Sequence, residues 1–118
     1  MSGATLLSKS AVDPLIQKGY LEELAKAYAP AGMDRKDPSL SPLYADLKGL
    51  PPILIQIGSA ETLLDDAVRL ASAAGAADVS TTLEIWPQMI HAWPLWNARL
   101  EPGRRALAHA GAFLRQNL

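Results

Sequence analysis

The chain has 118 residues, 49% of them hydrophobic, and balances 11 Lys and Arg against 12 Asp and Glu for a formal net charge of −1. That balance gives no basic field for a phosphate backbone, which argues against nucleic acid. The lack of cysteine excludes a disulfide framework, a thiolate zinc site and a cysteine nucleophile. The longest apolar run, Pro51 to Ile57, is far short of the roughly 20 residues a membrane helix needs, and no charged-then-apolar signal pattern opens the sequence, so one cytoplasmic domain with no membrane association is expected.

In chain order, Leu21, Leu24, Ala25 and Tyr28 recur at helical spacing between Gly19 and Ala29, with Glu22 and Lys26 paired at i,i+4 on the other side, which predicts a surface helix. Pro30, Gly32, Pro38 and Pro42, interspersed with Asp and Ser, interrupt every period as far as Gly49, so residues 1–50 read as a helix and a connecting segment. Ile53 to Ile57 is a β-branched, nearly continuous apolar run closed by Gly58, the pattern of a central strand covered on both faces. Ser59 is placed to cap the next helix, on which Leu63, Leu64, Ala67, Leu70 and Ala74 share one face and which runs to about Ala77. Asp78 then stands where the helix ends, a place that favours glycine because its backbone turns left-handed. Thr82 to Trp86 alternates polar and apolar and stops at Pro87, as an edge strand does. Beyond Pro102 and Gly103 a closing helix aligns Ala106, Leu107, Ala110, Phe113 and Leu114. Residues 51–118 thus read strand, helix, strand, helix.

Two strands joined through a helix predict a parallel pair with a right-handed crossover, and hence an α/β class. Two strands alone do not make a covered sheet, because the central strand's second edge finds no partner in these residues, so the sheet is expected to be incomplete and to lack N-terminal strands. In open α/β sheets, functional groups gather in the loops beyond the carboxyl ends of strands. Here those loops are Ser59 to Glu61 and Pro87 to Trp93, which bring one carboxylate and one imidazole, Glu61 and His91, from neighbouring strands roughly 5 Å apart. A histidine acting as general base must be held in one tautomer by an acid on its other ring nitrogen. On the pattern alone, an acid at the start of a helix also suits the helix dipole, and a lone loop histidine commonly packs or faces solvent, so both readings stand at this level. Asp65 and Asp66 lie inside the helix, where pairing with Arg69 at i,i+4 and i,i+3 makes a solvated charged face. His109 has no acid at i±3 or i±4 and is read as surface. Ile90 and Trp93 flank His91 and are candidate lining residues of a substrate pocket, although apolar residues near a sheet end also simply pack. No pattern calls for a metal or a cofactor.

Three ordered blocks carry a resemblance: Ser41-Pro-Leu-Tyr-Ala-Asp-Leu-Lys-Gly-Leu-Pro-Pro-Ile-Leu-Ile-Gln-Ile-Gly58, Ser59-Ala-Glu-Thr-Leu-Leu-Asp-Asp66 and Leu83-Glu-Ile-Trp-Pro-Gln-Met-Ile-His-Ala-Trp93. With Asp13-Pro14 and the final helix, they resemble the C-terminal third of bacterial esterases of the hormone-sensitive-lipase family. The resemblance implies an α/β-hydrolase fold and a carboxylic ester hydrolase that acts on short to medium acyl esters through an acyl-enzyme. It puts Glu61 at the triad acid and His91 at the base, 30 residues later. It also implies self-association near the last strand, which makes residues 82–86 a candidate homodimer surface. The family's His-Gly-Gly-Gly oxyanion loop and Gly-x-Ser-x-Gly elbow are both absent from the 118 residues; Gly58-Ser59-Ala60 is no elbow, since Ile57 and Glu61 stand two residues to either side of Ser59. The chain by itself is therefore expected to be inactive. The rival expectation is a non-catalytic module that binds a partner through its open sheet edge.

Overall fold

The structure, a computed structural model, describes residues 3–117. The elements run α1 (Thr5–Ser8), α2 (Lys18–Tyr28), β1 (Ile53–Gly58), α3 (Leu64–Ala76), β2 (Thr81–Trp86) and α4 (Glu101–Asn117), with short 3₁₀ turns at Pro42–Tyr44 and Trp93–Trp96. β1 and β2 pair in parallel, from Ile53 opposite Thr81 to Gly58 opposite Trp86, with α3 as the crossover. The α/β class read from the sequence is the one observed.

Successive side chains of a strand point to opposite faces, and each face of this sheet receives one helix. Ile53 packs on the cluster of Leu47, Ala74 and Val79, which α3 covers. On the opposite face, Gln56 donates to the carbonyl of Ala106 in α4 (2.9 Å), and Trp86 packs with Trp93 and Ala106 in a second cluster. β1 was expected to be covered on both faces, yet residues 53–56 are only half-buried and just Ile57 and Gly58 are buried. The reason is coverage: one helix per face reaches part of the strand, and among the described residues β1 has only β2 as a strand neighbour. Two small apolar clusters replace one core, and the accessible surface of 7529 Å² exceeds the about 6,200 Å² of a compact monomer of this mass.

The start of α3 departs from expectation. The helix begins at Leu64, and the Ser59 hydroxyl does not cap it but accepts from the Gln88 N–H (2.8 Å). A distant segment bonds to this end: Thr5 Oγ1 takes the Asp65 N–H in the first turn (2.9 Å), and Asp13 Oδ2 takes the N–H of Thr62 in the turn ahead of the helix (3.0 Å). The first satisfies one of the backbone N–H groups that a helix start leaves without intrahelical partners, and together the two bonds fasten residues 3–16 to the acid loop. Asp65 in turn accepts from the Ala4 N–H, and Asp66 pairs with Arg69 at 3.5 Å. At the far end Asp78 is left-handed (φ 59°), with Val79 N–H on the Ala74 carbonyl and Asp78 N–H on that of Gly75. This closes the helix as glycine usually does.

His109 is half-exposed, as expected, but it has an acid partner that helical spacing could not show. Its Nδ1 lies 2.9 Å from Glu84 Oε1, while Oε2 of Glu84 accepts from Gln56 (2.9 Å) and Trp86 (3.1 Å), so one carboxylate joins β1, β2 and α4. Burial alone would raise the Glu84 carboxyl pKa. The hydrogen bonds from Gln56, His109 and Trp86 and the charge of His109 outweigh it and hold the group below the ordinary carboxyl range. A carboxyl depressed by folding stabilises the fold above its unfolded pKa, and that contribution disappears as pH falls through the depressed value. Thermal melts between neutral pH and pH ~3 should therefore show Glu84→Gln less stable near neutrality, with a flatter acid limb than the native chain. Acid limbs of equal slope would contradict the linkage.

Candidate active site

β1 ends at Gly58 and β2 at Trp86, side by side, so the loops that follow leave the same edge of the sheet. Backbone bonds join them: Ser59 N–H to the Trp86 carbonyl (2.9 Å) and Ala60 N–H to the Met89 carbonyl (3.1 Å), besides the Gln88 N–H on Ser59 Oγ. The approach is close enough to require glycine at position 58, where a Cβ would sit 2.0 Å from the Met89 carbonyl oxygen. The second loop carries two left-handed non-glycine residues, Gln88 (φ 62°) and Ala92 (φ 56°). Such geometry costs roughly 1–2 kcal/mol per residue, and Ala92 is the residue that turns the chain directly after His91.

The two loops bring Glu61 and His91 together. Glu61 Oε2 lies 2.9 Å from His91 Nδ1, and Oε1 accepts the Gly58 N–H at 2.7 Å, so each carboxylate oxygen has its own partner and the side chain has one orientation. The acid is 2% exposed and the imidazole 37%. If Nδ1–H donates to the carboxylate, the lone pair of the ring is on Nε2. A buried acid orienting a half-open imidazole is the arrangement that lets a histidine accept and return a proton. The helix-dipole alternative for Glu61 does not describe this position, because the residue precedes α3 and points at His91.

Of the candidate lining residues, Ile90 is half-buried and Trp93 is 2% exposed, packed at 6.0 Å between ring centres on Trp86. Both border a hollow of about 370 Å³ together with Gln88, Met89, Trp96, Arg99 and Leu100, and neither Glu61 nor His91 lines it. Among the described residues no three His, Cys, Asp or Glu side chains gather as a metal site, and no helix is long and apolar enough to cross a membrane. Sequence reasoning missed the buried supports of the acid loop, Asp13 and Thr62, and the loop-to-loop role of Ser59.

The family model described as alpha/beta hydrolase fold matches residues 3–95. The chain belongs to the alpha/beta hydrolase family. Within it, this chain is 45% identical over 113 residues to an acetyl-hydrolase of Streptomyces hygroscopicus, covering 96% of the chain and 38% of that protein. An esterase of Acinetobacter venetianus is 37% identical over 101 residues, covering 86% of the chain and 33% of its own length. The crystal structure of an esterase from the bacterial hormone-sensitive lipase family superposes with a TM-score of 0.94 at 41% identity, over 98% of this chain and 39% of that one. The chain thus spans between a third and two fifths of these relatives, and it corresponds to the C-terminal portion of a hormone-sensitive-lipase-type esterase.

Proposed function

We propose that Glu61 and His91 are the acid and base of a Ser-His-acid triad in a carboxylic ester hydrolase for short to medium acyl esters, and that the nucleophilic serine and oxyanion donors lie outside these 118 residues. The observation that carries this is the 2.9 Å contact between Glu61 Oε2 and His91 Nδ1, made by a buried acid and an imidazole that is 37% exposed. As the serine oxygen attacks the ester carbonyl, its proton passes to His91 Nε2. Glu61 stays ionised, accepts the Nδ1–H and stabilises the imidazolium. His91 then gives the proton to the departing alcohol, which leaves an acyl-enzyme, and repeats both transfers with water. The acetyl-hydrolase and esterase relatives belong to the same reaction class.

The test is hydrolysis of p-nitrophenyl acetate and butyrate. The full-length protein should turn over both, and the 118-residue chain should stay at the solution background, having neither nucleophile nor oxyanion hole. Turnover by the 118 residues that disappears in His91→Ala would overturn this division of the triad.

A second reading concerns assembly. The outer edge of β2 has no strand neighbour among the described residues and Ile85 is 47% exposed, which supports pairing with another copy of the chain through residues 82–86.

A further inference from the structure

Asp13 precedes Glu61 by 48 residues and lies outside both loops, yet it is 1% exposed and bonded into the acid loop. Its Oδ1 accepts the N–H groups of Leu15 and Ile16, each at 3.0 Å, which fixes the local turn. Its Oδ2 accepts the Thr62 N–H at 3.0 Å and the Thr62 hydroxyl at 3.2 Å. Burial would raise the pKa of this carboxyl, but the bonds from Thr62, Ile16 and Leu15 outweigh it and hold the group below its ordinary range. A buried carboxylate is costly unless its lone pairs are filled, and here four donors fill them.

What Asp13 grips is the turn that leads from the acid into α3. The Thr62 N–H belongs to the peptide that joins Glu61 to Thr62, so its bond sets the plane from which the Glu61 side chain departs. Thr62 is wholly buried, and its carbonyl accepts the Thr5 hydroxyl at 2.7 Å, so the residue after the acid is held on both sides by the segment 3–16. The acid has two partners to meet at once, Gly58 N–H at 2.7 Å and His91 Nδ1 at 2.9 Å. A tilt of the 61–62 peptide would carry the carboxylate off one of them.

We propose that Asp13 is a positioning residue for the triad acid, acting through the Glu61–Thr62 peptide to fix where the carboxylate meets His91. This rests on the triad proposed above. Thr5 completes the clamp from the carbonyl side.

The variant to make in the full-length protein is Asp13→Ser, whose hydroxyl can still serve the Leu15 and Ile16 turn but withdraws the oxygen that Thr62 uses. Its kcat for p-nitrophenyl butyrate should fall about ten- to a hundredfold with KM unchanged, as small misplacements of catalytic groups do. The same substitution made in a Glu61→Gln background should cost nothing further, because the acid that Asp13 aims no longer acts. An equal loss in both backgrounds, or an unchanged kcat in folded Asp13→Ser, would overturn the proposal. If Asp13→Ser does not fold, Thr5→Val, which frees the Thr62 carbonyl, should show the same coupling at a smaller, several-fold loss, and additive losses would refute it. An intact kcat in Glu61→Gln alone would instead overturn the triad and leave the fault there.

Discussion

His91→Ala in the full-length protein should lower kcat for p-nitrophenyl acetate by about 10⁶-fold, because triad members act as a unit and the residual rate is that of binding and oxyanion stabilisation alone. The structure separates this loss from a folding defect. His91 is 37% exposed and contributes to neither apolar cluster, so alanine leaves both in place. The cost to stability is confined to Glu61, which loses one partner but keeps the Gly58 N–H. Leaving one side of a buried polar group unmatched costs about 1–3 kcal/mol. Activity and melting temperature measured on the same preparation distinguish the two effects: activity should vanish while a cooperative transition persists. Retention of even a hundredth of the native kcat would remove His91 from the reaction.

Glu61→Gln should cost about 10⁴-fold in kcat with little change in KM, the loss expected when an acid that fixes the tautomer becomes an amide. The two bonds of Glu61 say how. The Gly58 N–H needs an acceptor and would take the amide oxygen, which turns the amide NH₂ toward His91. Its N–H then donates to Nδ1, the imidazole proton moves to Nε2, and the nitrogen that should receive the serine proton is occupied. Volume and burial are kept, so the fold should survive. Steady-state kinetics on the full-length variant check this, and a loss smaller than tenfold would mean that Glu61 does not set the tautomer.

Why the meeting of Glu61 and His91 was legible in the sequence, and the bond of Asp13 to Thr62 was not, comes down to the range over which residue patterns carry information. The acid and the imidazole follow two runs, Ile53–Gly58 and Thr81–Trp86, whose composition marks them as strands, and parallel neighbours put their carboxyl ends together whatever lies between. The Asp13 to Thr62 bond joins residues 49 apart through an irregular segment that no period describes. The pairing of His109 with Glu84 across 25 residues was hidden in the same way, since the i±3 and i±4 rule sees only one helix. Ser59 was a sound N-cap candidate by residue type, but the second loop supplied a competing donor, the Gln88 N–H, and α3 began later at Leu64. β1 has the composition of a strand covered on both faces, and its half-buried side chains reflect how little of each face the two helices reach. That composition suits a wider sheet, in keeping with relatives of which this chain spans about two fifths.

The tautomer of His91 tests the acid–base pair most directly. A two-bond ¹⁵N–¹H correlation spectrum of the full-length protein, recorded above the pH at which the imidazole loses its charge, identifies which ring nitrogen carries the proton. A proton on Nδ1, bonded to Glu61, with Nε2 unprotonated is the predicted result, and in Glu61→Gln the proton should move to Nε2. A native His91 protonated on Nε2, or one that exchanges freely between tautomers, would contradict the assignment of Glu61 as the group that orients the base.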